Sequence, residues 1–324
     1  MSSVVFQVLK PGPYTLIQDA GRRGVLNLGL TSAGPMDRLS FNWANRLCGN
    51  PAGSAVLEIT FGGLELEARE PALIAITGPD AEVTLNGKAA STWQGLRLVR
   101  GDRLQIGQVR YGCRLYLALA GGFAGQLAFG SAATVPREAL GGIKGRALAA
   151  GDKLARAQQE PAGTRRFAVP SSLRPRWTTA PTSAVELRVI PCLQARQLSR
   201  TAKRLFFGQS YQVSPHCDRM GYRLEGKPLA LPPMALLSEG ITPGAIQLPA
   251  DGLPIVLMRD HQTLGGYPRV GVVISTDLDL LAQLTPGAGV RFVPVTLHAA
   301  RHILHQAWRH FETSCPVALE QPPL

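Results

Sequence analysis

The sequence has few cysteines, few aromatic residues and no long apolar run. Its five cysteines are odd in number and none forms a Cys-x-x-Cys pair, which argues against a disulfide framework and against a cysteine-based zinc site. No apolar run approaches the length of a membrane-spanning helix, and the first residues lack the basic and apolar segments of a signal peptide. These absences predict a cytoplasmic protein whose thiols stay reduced.

Nucleotide-binding and nucleic-acid-binding motifs are also missing. The Gly-punctuated loop 18–24 follows an apolar strand, but it contains neither G-x-x-x-x-G-K-[ST] nor G-x-G-x-x-G. The net charge is +12, yet Lys and Arg are spread along the chain and no helix-turn-helix or RNA-binding signature occurs. The positive charge therefore favours an acidic small molecule or acidic partner proteins over nucleic acid.

The residues that are abundant indicate a β protein. With 324 residues and 45% hydrophobic content, the chain is long enough for one large domain or two ordinary ones. Its 35 Gly and 25 Pro, with frequent Val, Leu and Thr, predict many short strands and tight turns. Between residues 55 and 120 the strands follow one another at short, regular spacing, which indicates an antiparallel barrel or sandwich.

Composition also divides the chain. Residues 157–183 are rich in Pro, Arg, Thr and Ser without periodicity, as in a linker. We therefore predict an N-terminal β-rich lobe over 1–156, a C-terminal β-barrel lobe over 184–296 and a helical tail over 297–324.

The clearest helix follows Pro35 and Asp37. Pro suits a first helical turn, an acidic residue complements the helix dipole there, and Gly49-Asn50-Pro51 stops the helix. The helical spacing predicts a buried stripe made of Leu39, Trp43 and Leu47.

The densest polar stretch is MRDHQTLGGYPRV, residues 258–270, which lies between the apolar runs 253–258 and 270–274. One interpretation is a functional site that two buried strands hold rigidly. The other is a polar hairpin with a Gly-Gly turn. Three further segments are similarly polar: 18–24, 34–46 and 214–225.

Histidines are concentrated in the tail. A predicted helix over 296–311 carries His298, His302, His305 and His310, with spacings that could chelate a metal. No Glu of the metalloprotease type lies between them, so we favour a basic exposed helix and expect no metal site. His216 and Cys217 are adjacent on a strand and point to opposite faces, which argues against a catalytic dyad.

Seven segments in order resemble one family. They are TLIQDAGRRG, GLTSAGPMD, ANRLCGNP, ALAGG, DRMGYRLEG, SEGITPGAIQLP and RDHQTLGGYPRV. Over about residues 8–295 the chain closely resembles the biotin-dependent carboxyltransferase family, which is also described as allophanate hydrolase subunit 2-like. The resemblance implies a mainly β fold with two β-rich lobes of cyclophilin-like barrel topology and few short helices.

The family includes the C subunit of bacterial 5-oxoprolinase, which this chain resembles most. The resemblance implies ATP-dependent opening of the 5-oxoproline lactam to glutamate by an amidohydrolase made of several subunits. The partners would be a sister B subunit, which is kinase-inhibitor-like and allophanate hydrolase subunit 1-like, and a lactam-utilisation-like A subunit. ATP would be used by the complex, and no cofactor is expected to be covalently bound.

Two alternatives come from other family members. One is a carboxyltransferase component that moves a carboxyl group from carboxybiotin, held on another protein, to a urea-like amide. The sequence contains neither a biotin carboxylase nor a biotinyl-lysine domain, which favours the oxoprolinase interpretation. The other is a non-catalytic regulator that binds its kinase-inhibitor-like sister protein.

The resemblance also implies a set of site residues. Asp37 and Asp260 would take or deliver a proton, and Arg219 or Arg223 would bind a carboxylate or an attached phosphate. The residues that would bind a small amide substrate are Gln18, Asp19, Arg22, Asp218, Arg219, Tyr222, Arg223, Gln247, Gln262, Thr263 and Tyr267. The chain has His261 where the family commonly has Arg and Leu264 where it commonly has Thr, so these are positions at which substrate preference could change.

Overall fold

A computed structural model describes residues 3–160, 165–175, 184–230 and 237–319. The chain forms two compact units. Unit 1 contains Met1–Arg23, Ala33–Trp177 and Ser314–Leu324, and unit 2 contains Gly24–Ser32 and Thr178–Thr313. The predicted linker 157–183 lies partly outside the described residues, since 161–164 and 176–183 are not among them.

Unit 1 is built from short strands and one helix. Its elements up to residue 168 are β1 (Val4–Pro11), β2 (Tyr14–Gln18), α1 (Arg38–Leu47), β3 (Val56–Thr60), β4 (Leu64–Ala68), β5 (Ala72–Thr77), β6 (Ala81–Leu85), β7 (Lys88–Ala89), β8 (Gly95–Leu98), β9 (Arg103–Val109), β10 (Arg114–Leu119), β11 (Lys153–Ala155) and β12 (Phe167–Ala168). One sheet has the order β11-β1-β4-β9-β6-β7 and the other has the order β2-β3-β10-β5-β8.

The core of unit 1 explains why some of its strands alternate and others do not. β4 alternates buried and half-buried residues, whereas every residue of β5 and β10 is buried. Helix α1 packs on β5 and β10, so these two strands are covered on both faces. The continuous apolar runs of β5 and β10 are the sequence signature of this double coverage.

The stripe predicted for α1 needs correction. Trp43 and Leu47 are buried as expected, but Leu39 is only half-buried, while Phe41 and Ala44 belong to the buried face. The ring of Phe41 meets that of Tyr116 edge-on at 6.4 Å, which shifts the buried face of the helix toward this pair.

In the sequence, Asn86-Gly87 is a strong signal for a tight hairpin turn, and the structure confirms that turn between β6 and β7. Asn86 has φ 51° and Gly87 has φ 78°, so both residues are left-handed. Two successive left-handed residues match the twist of a tight hairpin, and Asn and Gly are the residues that tolerate them best.

Unit 2 contains the barrel. Its elements are β13 (Val185–Pro191), α2 (Arg200–Gly208), β14 (Tyr211–Cys217), β15 (Gly221–Glu225), β16 (Glu239–Gly240), β17 (Ala245–Gln247), β18 (Ile255–Leu257), β19 (Leu264–Gly265), β20 (Arg269–Val273), α3 (Ser275–Leu281), β21 (Gly289–Pro294) and α4 (Leu297–Thr313). The barrel closes in the order β13-β20-β17-β18-β15-β14-β21, and β21 returns to pair with β13 in parallel. After α4, the strand β22 (Val317–Ala318) pairs with β12 and belongs to unit 1.

Aromatic rings fill one side of the barrel wall. Phe206 of α2 stacks on Phe292 of β21 with ring centroids 4.8 Å apart, and Tyr211 lies 5.4 Å from Phe292. Helix α2 begins at the cap Ser199, whose side chain accepts a hydrogen bond from the Ala202 N–H at 3.0 Å. Helices α2 and α3 were not predicted from the sequence.

The mainly β prediction is confirmed, with four α-helices in the described part of the chain. None of these helices is long and apolar enough to cross a membrane. The predicted tail helix over 296–311 is observed as α4.

Candidate functional site

The polar stretch that follows β18 is a crossing loop, residues 258–268, and not a hairpin. Its flanking strands β18 and β20 are not neighbours, because β17 lies between them and pairs with both. The loop must therefore cross the end of β17. Within it, β19 pairs with β16. The hairpin interpretation of this stretch is wrong.

A buried ion pair fixes the start of the crossing loop. Arg219 donates from Nε to Asp260 Oδ2 and from Nη2 to Asp260 Oδ1, both at 2.8 Å. Both side chains are less than a tenth exposed. The Asp260 N–H also donates to the Arg219 carbonyl at 2.7 Å. Because buried charges are costly unless they are paired in good geometry, this pair holds the loop against the segment before β15.

Asp218 shapes the turn that carries Arg219. Its Oδ1 accepts from the Met220 N–H at 2.7 Å and from the Gly221 N–H at 3.1 Å. A carboxylate that bonds the backbone two and three residues later forms a compact local turn. Asp218 therefore helps to present Arg219 toward Asp260.

The centre of the crossing loop is tied to the segment 24–32. Thr31 is fully buried, and its hydroxyl lies 3.1 Å from the His261 carbonyl and 3.3 Å from the Arg259 carbonyl. His261 is also buried, and its Nδ1 contacts the Gln262 carbonyl. Thr31 was not among the predicted site residues, although it lies in the motif GLTSAGPMD.

The outer part of the crossing loop carries polar groups that water reaches. Gln262 and Tyr267 are exposed, and Thr263 is half-buried. An amide, a hydroxyl and a phenol can together bind the carbonyl, N–H or carboxylate of a small amide. Leu264, one of the two positions at which we expect a difference from the family, is 58% exposed, and Gln262 and Tyr267 of the same loop are also exposed.

Gln247 lies beneath β19. It is 6% exposed, and a Cβ added at Gly265 would lie 2.3 Å from its Nε2. The glycine therefore allows the loop backbone to approach the Gln247 amide closely.

A second set of contacts holds the end of the loop. The Arg269 N–H donates to Gln194 Oε1 at 2.5 Å, and Gln194 Nε2 donates to Glu239 Oε1 at 2.9 Å. Arg269 Nη2 lies 3.3 Å from the same Glu239 oxygen. Sequence reasoning missed Gln194 and Glu239, which are far from the loop along the chain.

Two predicted residues of unit 2 have other contacts. Tyr222 is 1% exposed, and its hydroxyl donates to the Ala282 carbonyl at 3.4 Å. Arg223 forms an exposed pair with Asp251, with 3.1 Å between Nη1 and Oδ2. These contacts are separate from the Arg219–Asp260 pair.

In unit 1, the predicted residues at the end of β2 and just after it contact a second segment, residues 131–134. Asp19 accepts from the Ser131 hydroxyl and from the Ala132 N–H, both at 2.6 Å. Arg22 is 3% exposed and donates from Nη2 to the Ala133 carbonyl at 2.6 Å. Gln18 donates to the Thr134 carbonyl at 2.8 Å. These contacts organise segment 131–134.

Asp37 belongs to a buried network at the start of α1. It caps the helix, since its Oδ1 accepts from the Ser40 N–H at 3.0 Å and its Oδ2 accepts from the Ser40 hydroxyl at 2.6 Å. Its own N–H donates to the Tyr116 hydroxyl at 2.8 Å, and that hydroxyl donates to Glu58 Oε2 at 2.8 Å. Arg114 Nε lies 4.0 Å from the other Glu58 oxygen.

The same network perturbs a phenol. Burial, followed by the nearby carboxylates of Glu58 and Asp37, raises the pKa of Tyr116 well above its ordinary value. The phenol therefore stays protonated and serves as both donor and acceptor. Glu58 and Tyr116 were not predicted; a single Glu in the buried strand VLEIT was the available signal.

Metal ligands do not converge among the residues that the structure describes, where no group of three or more His, Cys, Asp or Glu side chains could hold an ion. On α4, His302 and His305 are exposed and belong to no such group.

The fold and the crossing loop together define a mainly β protein in which a closed barrel presents an anchored polar loop. A family model described as "Carboxyltransferase domain, subdomain A and B" matches residues 28–294, and the chain belongs to this family. The resemblance found from the sequence motifs is thereby confirmed.

Two relatives and one solved structure illustrate the similarity. The C subunit of the 5-oxoprolinase of Escherichia coli (strain K12) is 34% identical over 309 residues, covering 95% of this chain and 97% of the relative. The corresponding C subunit of Haemophilus influenzae is 33% identical over 285 residues, covering 88% and 89%. The crystal structure of the Kluyveromyces lactis urea carboxylase has a TM-score of 0.90 at 30% identity, and it covers all of this chain. The present chain spans only 30% of that larger protein.

Proposed function

We propose that the chain acts as the C subunit of a 5-oxoprolinase complex, which opens the 5-oxoproline lactam to glutamate in an ATP-dependent reaction together with the A and B subunits. The observation that carries the proposal is the match to two proteins named as C subunits of 5-oxoprolinase, over 97% and 89% of their lengths. A family assignment alone would not distinguish this activity from others, because one fold hosts several functions.

The crossing loop supports the proposal chemically. The substrate has a lactam amide and one carboxylate, and its opening breaks the C–N bond while water adds to the carbonyl carbon. Gln262, Thr263 and Tyr267 supply the amide and hydroxyl groups that would orient such a substrate. The anchored base of the loop, Arg219 with Asp260, would keep these groups in one geometry.

Asp37 and Asp260 remain the proposed proton-transfer groups. Each carboxylate is held in one orientation, Asp37 by Ser40 and Asp260 by Arg219. A general acid or base must be positioned in this way before its pKa matters.

Reconstitution with purified A and B subunits tests the proposal. We expect ATP-dependent release of glutamate from 5-oxoproline only when all three subunits are present. In that complex, Gln262→Ala and Tyr267→Phe should each lower kcat/KM about 10-fold or more, as expected for groups that position substrate. Gln212→Ala, at an exposed position of β14, is the matched control and should leave the rate unchanged.

Two results would contradict the proposal. One is a complete, folded complex that does not turn over 5-oxoproline. The other is a set of crossing-loop variants with the activity of the Gln212→Ala control. If Asp260→Asn retains full turnover in the complex, Asp260 has no proton-transfer role.

Carboxyl transfer is the second candidate function, because the urea carboxylase structure matches the whole chain with a TM-score of 0.90. It would need a separate biotinylated protein as the carboxyl donor. Bicarbonate-dependent ATP consumption that avidin blocks would support it, and ATP consumption that is indifferent to avidin would eliminate it.

The regulatory alternative predicts tight binding of the sister protein without any turnover, whatever third component is added. A cytoplasmic location is proposed for all three functions. It is supported by the five cysteines, all of which are free thiols.

A further inference from the structure

Helix α4 buries very little of its surface. Of its 17 residues only Ala300 is buried. Leu297 is 61% exposed and Trp308 is 41% exposed. A helix in a globular protein is normally stabilised by an apolar face that packs on the core. This helix instead leaves large apolar side chains in water.

A groove begins where α4 begins. It has a volume of about 600 Å³, and its apolar floor includes Ile190, Phe207, Val295 and Leu297. A second concavity of about 760 Å³ continues along α4 from Leu297 to Trp308. The two concavities share Leu297, and we refer to them together as the basic groove.

The charge of the basic groove has a single sign. Arg196 and Lys203 line its first part, and Arg301 lines its second part together with His298, His302 and His305. Among the residues that the structure describes, no Asp or Glu lines either part. Around the groove, the segment 192–208 carries basic residues and no acidic one: Arg196, Arg200, Lys203 and Arg204. An acidic surface would therefore complement the groove in charge.

We propose that the basic groove is the docking surface for an acidic segment of a partner protein in the complex. The apolar side chains of that segment would fill the floor, and its carboxylates would meet Arg196, Lys203 and Arg301. The identity of the partner rests on the proposed function. The groove spans the end of the family match, since Arg196 and Lys203 lie within the matched residues 28–294, whereas α4 starts at Leu297. The contact would thus involve both the carboxyltransferase domain and the helix that follows it.

The shape of the groove favours a protein over other anionic partners. Aliphatic side chains on a concave floor suit the apolar anchors of a protein interface. Nucleic acid binding would call for aromatic stacking platforms along a basic track, whereas the first part of the groove is lined mainly by aliphatic side chains, with Phe207 as its one aromatic residue among those described. A membrane-surface helix would instead present its apolar residues on a protruding face.

The first experiment measures assembly of the full-length chain with purified A and B subunits by sedimentation and by titration calorimetry. The variant Arg196→Glu/Arg301→Glu reverses charge at two exposed groove positions. We expect at least about a 10-fold loss of affinity, and wild-type binding that weakens as salt rises. The matched control, Arg100→Glu/Arg110→Glu, reverses two exposed charges of unit 1 and should bind like the wild type.

Folding is monitored by circular dichroism, and the milder variant Arg196→Gln/Arg301→Gln should weaken assembly to a smaller extent. If Arg196→Glu/Arg301→Glu assembles normally and its complex turns over 5-oxoproline at the wild-type rate, the docking proposal is overturned and the proposed function stays intact. An equal loss in the control variant would also overturn it.

A second experiment does not depend on the proposed function. A synthetic amphipathic peptide with alternating Glu and Leu is titrated against the chain alone, with a Lys and Leu peptide as its counterpart. We expect only the acidic peptide to bind, and its binding to be lost in Arg196→Glu/Arg301→Glu. If no complex assembles and the acidic peptide fails to bind, both proposals fail. Tighter binding of single-stranded DNA or of phosphatidylserine vesicles, abolished by the same variant, would replace the protein partner with nucleic acid or membrane.

Discussion

The polar network around Asp37 and the polar network around Asp260 come from similarly polar stretches of sequence, but they are built differently. In unit 1, Asp37, Tyr116 and Glu58 are all buried between α1 and its sheet. In unit 2, Asp260 and Arg219 are buried, whereas Gln262 and Tyr267 of the same loop are exposed.

This difference separates two uses of polar residues. The unit 1 network provides hydrogen-bond partners for polar groups in the first turn of α1 and in the middle of β3. The polar groups named in it face the interior. The unit 2 network has a buried base and an accessible rim, which is the arrangement that a binding loop requires. Both networks come from stretches of sequence with a similar density of polar residues, so this density does not distinguish the two uses.

The largest effect should come from breaking the Arg219–Asp260 pair. Asp260→Asn keeps the shape of the side chain but leaves the Arg219 guanidinium buried without its counter-charge. We expect a loss of about 3–5 kcal/mol in the free energy of unfolding, measured by urea denaturation. The exposed pair Arg223–Asp251 is the control, and Asp251→Asn should cost less than about 1 kcal/mol. Similar losses in the free energy of unfolding for both variants would contradict the distinction between the buried ion pair and the exposed one.

Tyr116→Phe tests the unit 1 network. It removes the hydroxyl that accepts from the Asp37 N–H and donates to Glu58, so two buried polar groups lose a partner. The free energy of unfolding should fall by about 1–3 kcal/mol. Tyr111→Phe, at a residue that is 44% exposed, should change stability by less than about 0.5 kcal/mol. The turnover of the Tyr116→Phe variant in a reconstituted complex is measured as well. If the variant loses turnover under conditions in which it remains folded, this network also serves the reaction.

Thr31→Val removes the hydroxyl that lies against the Arg259 and His261 carbonyls while preserving side-chain volume. The expected loss is about 1 kcal/mol, accompanied by faster amide hydrogen exchange confined to the crossing loop. Ser32→Ala, at the neighbouring half-buried position, is the control. Unchanged exchange in the loop would mean that the buried ion pair alone determines its rigidity.

The smallest effect concerns Arg146 and Asp152, a bidentate pair like the one in the crossing loop but far more accessible. The two N–O distances are both 2.8 Å, and Arg146 is 40% exposed. Its hydrogen bonds lower the pKa of Asp152 from the ordinary value of 3.8. A lowered folded-state pKa means that the pair stabilises the fold above about pH 4 and that this contribution is lost as the pH falls through the folded-state value.

Asp152→Asn should therefore cost less than about 1 kcal/mol at pH 7, and the difference from wild type should shrink below about pH 4. Urea denaturation at neutral and at lower pH measures it. If the difference in the free energy of unfolding between the variant and the wild type grew on acidification, the predicted pH dependence of this pair would be wrong in direction.

Local features could be predicted well from the sequence. Regularly spaced short strands were predicted between residues 55 and 120, and Asn86-Gly87 indicated the β6–β7 turn, because side-chain period and turn chemistry act over a few residues. Helix α2 was missed although Ser199 caps it, since it has only nine residues and buries only Ala202 and Phe206.

Non-local features were beyond reach. That β17 lies between β18 and β20 depends on strand pairing, and β17 has only three residues to mark it. The contact of Glu58 with Tyr116 joins positions 58 residues apart. For the candidate site, the polar stretch itself could be recognised in the sequence, but which of its side chains turn inward is determined by contacts with Arg219 and Thr31, which lie elsewhere in the chain.

The parallel pairing of β13 with β21 also constrains biosynthesis. These are the first and last strands of the barrel, so the barrel cannot close on the ribosome until residue 294 has emerged. Unit 1 differs, because all strands of its two main sheets have been made once β11 ends at Ala155, and only the two-residue pairing of β12 with β22 comes later. Contacts of such large sequence separation as β13 with β21 form slowly. The barrel therefore completes its folding late in translation, and the unpaired edges of its strands need protection from aggregation until then.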